Sequence, residues 1–182
     1  MPVFLQKSSF SLLSLFGGES SIAPHLAAEK EGIRLECAAV KQQIIQNMHP
    51  DADIQLIEGI GGWAVPLNAQ QLFAEVIVEL NIPVILVVGI RLGCLNHALL
   101  TQQSMMQMNV RCLGWIANEL APHTAACTAM ITTLQQWIPQ PCLGVLPYGQ
   151  QEVPLFIEPI ERYLASAKKL RSPADDRVDL KK

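Results

Sequence analysis

The residues best placed to do chemistry lie in one short stretch, Asp53 to Trp63 (DIQLIEGIGGW), an apolar run that ends in an acid and a glycine cluster. Glu58 leaves the run where a metal ion or water can reach it, and Gly59, Gly61 and Gly62 let backbone approach a bound group closely. Hard cations take carboxylate oxygen. Glu58 therefore reads as a magnesium ligand, with a helix-capping acid as the alternative. The stretch looks like half of a nucleotide site. The other half, Gly-x-x-x-x-Gly-Lys-[Ser/Thr], belongs upstream of it. The chain holds no Gly-Lys dipeptide, and only Gly17, Gly18 and Gly32 precede Glu58.

Two further stretches carry polar groups at the ends of apolar runs. Val87 to Ala98 (VVGIRLGCLNHA) reads as a strand end, a loop and a helix start. A helix N-terminus offers free N–H groups and a positive dipole to a carboxylate or phosphate. Asn96 and His97 read equally as capping polars, and Cys94 has no basic partner that would make it a nucleophile. Gly114 to Glu119 (GWIANE) ends a strand in an amide, Asn118, that can pair with a base edge through one donor and one acceptor. Trp63, Trp115 and Trp137 read as core.

The elements that must position these groups follow from four apolar runs read as strands: Ile54 to Ile57, Pro83 to Val88, Val110 to Ala117 and Cys142 to Leu146. Their starts fall 27 to 32 residues apart, the length of one strand-plus-helix unit. The segments between them have helical periodicity, which predicts a parallel sheet with crossover helices. Asn68 is expected to cap a helix whose face carries Leu72, Phe73, Val76, Ile77 and Leu80. Helices are also expected over 94–108, 124–137 and 153–170, and before the first strand over 24–30 and 34–48. In doubly wound sheets ligands bind at the carboxyl ends of the strands. Here those ends are Glu58 and Gly59, Gly89 to Arg91, Asn118 and Glu119, and Pro147 and Tyr148.

Composition sets the outer limits. A chain of 182 residues can bury roughly 70% of its unfolded surface. Half of the residues are hydrophobic and 16% are charged, which fits a globular domain. A net charge of −3 gives no nucleic-acid footprint. The five cysteines include no Cys-x-x-Cys pair and no His spacing that suggests zinc, and they read as buried, reduced thiols of a cytoplasmic protein. No apolar run approaches the roughly 18 residues of a membrane helix. Residues 1–16 carry only a short, serine-broken imitation of a signal peptide.

Taken in order, Glu58 to Trp63, Pro83 to Thr101 and Gly114 to Asn118 closely resemble dethiobiotin synthetase. The likeness extends to Ala23 to Glu29 and Gly144 to Tyr148, covering roughly residues 22 to 165. Single pieces also occur in related P-loop amidotransferase-like synthases, so the set is what discriminates. The resemblance implies a P-loop NTPase-like, doubly wound α/β fold with a mainly parallel sheet and flanking helices. It implies a homodimeric ATP-dependent cyclo-ligase of biotin biosynthesis. Such an enzyme uses ATP and Mg2+ to close 7,8-diaminopelargonate and CO2 into dethiobiotin, through a carbamate and a mixed carbamic-phosphoric anhydride. By the same resemblance Glu58 is a magnesium ligand, and Gly59, Ile60 and Gly61 contact the nucleotide. Asn118, Glu119, Pro147, Tyr148 and Gly149 meet adenine. Leu92, Gly93, Cys94, Leu95 and Asn96 hold the substrate carboxylate across the dimer interface.

The departures from that pattern are specific. The family's first strand, phosphate loop, magnesium threonine, catalytic lysine and a further magnesium aspartate all precede the matched region, and no Asp here precedes Asp51. No catalytic residue is expected on this chain. The expected organisation is a divergent segment over 1–21, a partial P-loop-type domain over 22–170 without its amino-terminal strand and P-loop, and a polar tail over 171–182. Glu119 stands where the family often has Asp. Phosphoryl transfer depends on the missing cradle, so the chain alone is expected to be nearly inactive and to leave a sheet edge exposed. The rival expectations are a non-catalytic remnant or binding subunit, and an amidotransferase-like synthase with a glutaminase partner.

Overall fold

All four apolar runs form strands, and the three ladders among the described residues are parallel. The computed structural model describes residues 10–13, 23–30, 32–49, 54–59, 61–150 and 158–170. Along the chain these form β1 (Phe10–Leu13), α1 (Pro24–Lys30), α2 (Cys37–Gln46), β2 (Ile54–Ile57), α3 (Phe73–Leu80) and β3 (Val84–Ile90). They continue with α4 (Cys94–Gln107), β4 (Cys112–Glu119), α5 (Ala125–Trp137), β5 (Cys142–Leu146) and α6 (Glu158–Leu170). The α/β class and mainly parallel pairing are as expected. β1 is an addition, arising in the segment expected to diverge. The tail over 171–182 and the start of the helix expected from residue 153 lie outside the described residues.

Contacts divide the chain into two units, residues 1–82 with 107–110, and residues 83–106 with 111–182. In the first, β1 and β2 pair from Phe10 opposite Ile54 to Leu13 opposite Ile57. Helices α2 and α3 pack together, burying Cys37, Val40 and Ile44 against Phe73, Ala74, Val76 and Ile77. Lys41 Nζ reaches Glu79 Oε2 at 3.2 Å across this pair.

Asn68 does not cap α3. Its Oδ1 accepts from the amides of Gln70 at 2.9 Å and Gln71 at 3.1 Å, and its Nδ2 donates to the Leu35 carbonyl at 2.6 Å. An Asn that closes its own turn in this way competes with helix entry. The N-cap falls four residues later, at Leu72, whose amide donates to Glu75 Oε1 at 2.8 Å. Asn81 ends it in the left-handed conformation at φ 50°, which Asn tolerates.

The second unit is built on a three-stranded sheet in the order β3-β4-β5. β3 reads VILVVGI, an unbroken apolar run that buries Val88 and Ile90 while Val87 stays exposed. Its core joins Val88, Ile90, Trp115 and Ala117 from the sheet to Cys94 and Ala98 of α4 and Cys127, Ile131 and Leu134 of α5. The apolar positions of α5 recur at helical spacing, and Thr124 caps it by accepting from the Cys127 amide at 3.4 Å. Gln102 is buried among apolar positions of α4 and donates to Gln140 Oε1 at 2.5 Å. Of the tryptophans expected in the core, Trp115 is fully buried, but Trp137, at the last position of α5, is 67% exposed.

Candidate functional site

Register decides which strand ends meet. Gly89 lies opposite Asn118 and Ile90 opposite Glu119, while Asn118 lies opposite Leu146. The loop after β3, the end of β4 and Pro147 therefore share one edge of the sheet. Asn118 and Glu119 are the last two residues of β4, two further than the apolar run predicts, because both still pair with β3.

Below this edge lies a pocket of about 430 Å³ lined by Glu119, His123, Thr128, Ile131, Thr132, Gln135, Val145 and Pro147. Thr128, Ile131, Thr132 and Gln135 are one face of α5, set by i, i+3, i+4 and i+7 spacing. The Glu119 side chain is 2% exposed, and its Oε1 is bonded to Nδ1 of His123. The second ring nitrogen of His123 meets the Thr128 hydroxyl at 2.9 Å.

This set suits a purine base. Ile131, Val145 and Pro147 give apolar walls, and a buried carboxylate accepts from an exocyclic amino group. Of the residues expected at adenine, Glu119 and Pro147 line the pocket. Asn118 sits beside it, half-buried, and Tyr148 and Gly149 follow in an exposed turn. His123, Thr128, Ile131, Thr132, Gln135 and Val145 were not expected there. For the α5 residues the helical spacing was the available signal.

The loop expected to hold a carboxylate starts at Leu92, which is 98% exposed, and turns at Gly93 with φ +90°. The Cys94 amide donates to the Arg91 carbonyl at 3.0 Å, and its thiol lies 3.6 Å from Met130 Sδ in the core. Cys94 thus turns its side chain away from solvent. Leu95 is half-buried, and Asn96 and His97 are exposed at the start of α4. The helix N-terminus, rather than the thiol, is the feature that can meet an anion.

In the first unit, Glu58 and Gly59 are exposed directly after β2. A Cβ on Gly59 would lie 3.1 Å from Phe73 Cε1. At Gly61, φ is +83° and a Cβ would lie 3.0 Å from Val65 Cγ2, so this turn requires glycine. Ile60 lies outside the described residues. Magnesium keeps several waters and is bound through one or two carboxylates plus phosphate oxygens. One exposed carboxylate at a glycine turn fits as a member of such a set.

The thiols are free. Burial pushes the Cys37 thiol up, with Glu75, Glu79 and Glu36 adding in the same direction, and burial raises Cys112 as well. The sequence spacing of the cysteines did not point to a metal, but the structure gathers one mixed group at Cys127. Ligand atoms of Glu119, His123 and Cys127 lie within 4.8 Å of one another. The grouping spans a strand end, a loop and a helix start at four-residue spacing (Glu119, His123, Cys127), and what brings the three together is the turn between β4 and α5.

A model of the family described as "AAA domain" matches residues 17–154. The chain belongs to that family. It is 39% identical over 137 residues to a protein of Pseudomonas aeruginosa strain UCBPP-PA14 named ATP-dependent dethiobiotin synthetase BioD, covering 75% of this chain and 60% of that one. Proteins of the same name from Yersinia pestis bv. Antiqua and Xanthomonas campestris pv. campestris are 40% and 39% identical, over 79% and 76% of this chain and 59% and 62% of theirs. The chain is dethiobiotin synthetase-like. It spans about three fifths of the length of these relatives. No helix among the described residues is long and apolar enough to cross a membrane.

Proposed function

We propose that this chain supplies the base-binding and substrate-carboxylate parts of a dethiobiotin synthetase, the ATP- and Mg2+-dependent ligase that closes 7,8-diaminopelargonate and CO2 into dethiobiotin with release of ADP and phosphate. The observation that carries the reading is the pocket at the ends of β4 and β5, where a buried carboxylate faces apolar walls within a chain similar to proteins of that name. Glu119 and Pro147, with Asn118, Tyr148 and Gly149 beside them, take the adenine. Glu58 is a magnesium ligand, with Gly59, Ile60 and Gly61 beside the nucleotide. Residues Leu92 to Asn96 hold the substrate carboxylate at the interface of a cytoplasmic homodimer.

The sequence contains no Gly-x-x-x-x-Gly-Lys segment, so the proposal includes inactivity of this chain by itself. The same observation favours a second reading, a non-catalytic binding subunit. Dethiobiotin formation is to be measured with ATP, Mg2+, bicarbonate and diaminopelargonate, first with the chain alone and then with a phosphate-loop segment from a dethiobiotin synthetase fused upstream. No turnover alone and turnover in the fusion is the expected pair. Turnover by the chain alone sinks the dependence on that segment. A folded fusion that binds diaminopelargonate yet makes no product favours the binding subunit. A folded fusion with neither binding nor product rejects the synthetase reading.

A further inference from the structure

We propose that Glu119, His123 and Cys127 form a binding site for a divalent cation of borderline softness, of which Zn2+ is the type, with three protein ligands and one position open at the mouth of the pocket. The site shares Glu119 and His123 with the base pocket, but it is argued from these three side chains and its test does not depend on the nucleotide reading.

The donor set is the first argument. Carboxylate, imidazole and thiolate together match zinc, whereas magnesium and calcium take oxygen alone. A tetrahedral zinc ion with bonds of about 2.0 to 2.3 Å sets its ligand atoms roughly 3.3 to 3.7 Å apart. The three ligand atoms already lie within 4.8 Å of one another, so modest rotamer adjustment closes the set.

Burial is the second argument. Glu119 and Cys127 are 4% and 8% exposed, and a buried carboxylate demands compensation. His123 supplies part of it now, and its 55% exposed side chain leaves a path from solvent.

The third argument is the surroundings. The Thr128 hydroxyl meets Nε2 of His123 at 2.9 Å, the outer partner that orients a metal-binding imidazole and can leave Nδ1 for the ion. Thr124 caps the first turn of α5 and lies 3.4 Å from Cys127 Sγ through its hydroxyl, holding the thiol at the end of the helix. On binding, the thiol gives its proton to solvent and its sulfur lone pair to the ion, with no change of oxidation state.

Cobalt(II) titration of the metal-free full chain tests the site. One equivalent should bind, giving the tetrahedral visible bands and a near-ultraviolet thiolate-to-cobalt band, and Zn2+ should displace it. His123→Ala should weaken binding by at least ~10-fold. Cys127→Ser should abolish the thiolate band, and Cys112→Ser should leave it intact. Failure to bind one equivalent, unchanged affinity in His123→Ala, or a thiolate band that survives in Cys127→Ser overturns the proposal. If Cys127→Ser does not fold, the His123→Ala affinity decides.

Discussion

The Glu119 carboxylate, buried at the end of β4, is bonded to Nδ1 of His123, so one strand-to-helix turn ties the buried side of the pocket to its exposed rim. A charged acceptor in such a place contributes about 1.5–3 kcal/mol to a hydrogen bond that a ligand donates to it. In the phosphate-loop fusion, Glu119→Ala should raise KM for ATP by about ten- to a hundredfold, while Glu119→Asp retains most of the affinity. Equal KM in all three proteins would remove Glu119 from the base site.

Glycines 89 and 114 separate two kinds of tight packing. A Cβ at Gly89 would meet Leu120 Cδ1 at 2.9 Å, but Leu120 is 48% exposed and free to turn away. At Gly114 it would lie 2.7 Å from buried Leu143 and 2.8 Å from the Pro141 carbonyl, which is backbone. Gly114→Ala should therefore cost about 1–3 kcal/mol, and Gly89→Ala clearly less. Urea denaturation of the two variants checks the order.

Thr124 caps α5 through its hydroxyl. Thr124→Ala should lower stability by about 1 kcal/mol, with Thr124→Ser close to the parent. A loss as large in the Ser variant would show that the methyl group matters rather than the cap.

Cys37 and Cys112 titrate upward because burial disfavours their thiolates. In the unfolded chain a thiol ionises near pH 8.5. The folded thiols stay protonated beyond that, so their contribution is complete below about pH 8.5 and is lost as pH rises through the folded values. Urea midpoints measured from pH 7 to 10 should fall less steeply in Cys37→Ala, and least in the Cys37→Ala, Cys112→Ala pair. Parallel slopes would contradict this.

Legibility followed chemistry of different ranges. The runs at Ile54, Val84 and Cys142 were visible because short, mainly apolar segments bounded by glycine and polar turns read as strands. The helix over 124–137 was visible from its periodicity, although Thr124 proves to be its cap rather than its first residue. The start of α3 was not, since Asn68 bonds to Gln70, Gln71 and Leu35, a choice fixed partly by a residue 33 positions away. Glu119 and Pro147 were found through resemblance to a family. His123 and Cys127 were missed because their meeting with Glu119 depends on how the chain turns after β4, and Trp137 because the last position of a helix need not face the core.

The parallel ladders also bear on how the chain folds. Phe10 pairs 44 residues away with Ile54, Val84 pairs 28 away with Cys112, and Trp115 pairs 27 away with Cys142. No ladder can start as a hairpin, and each requires an intervening helical segment to be gathered first. Loop closure must precede the contacts that reward it, which places this molecule among slow-folding topologies. During that interval the apolar run of β3 is unshielded, and closing α5 over it competes with its meeting another chain.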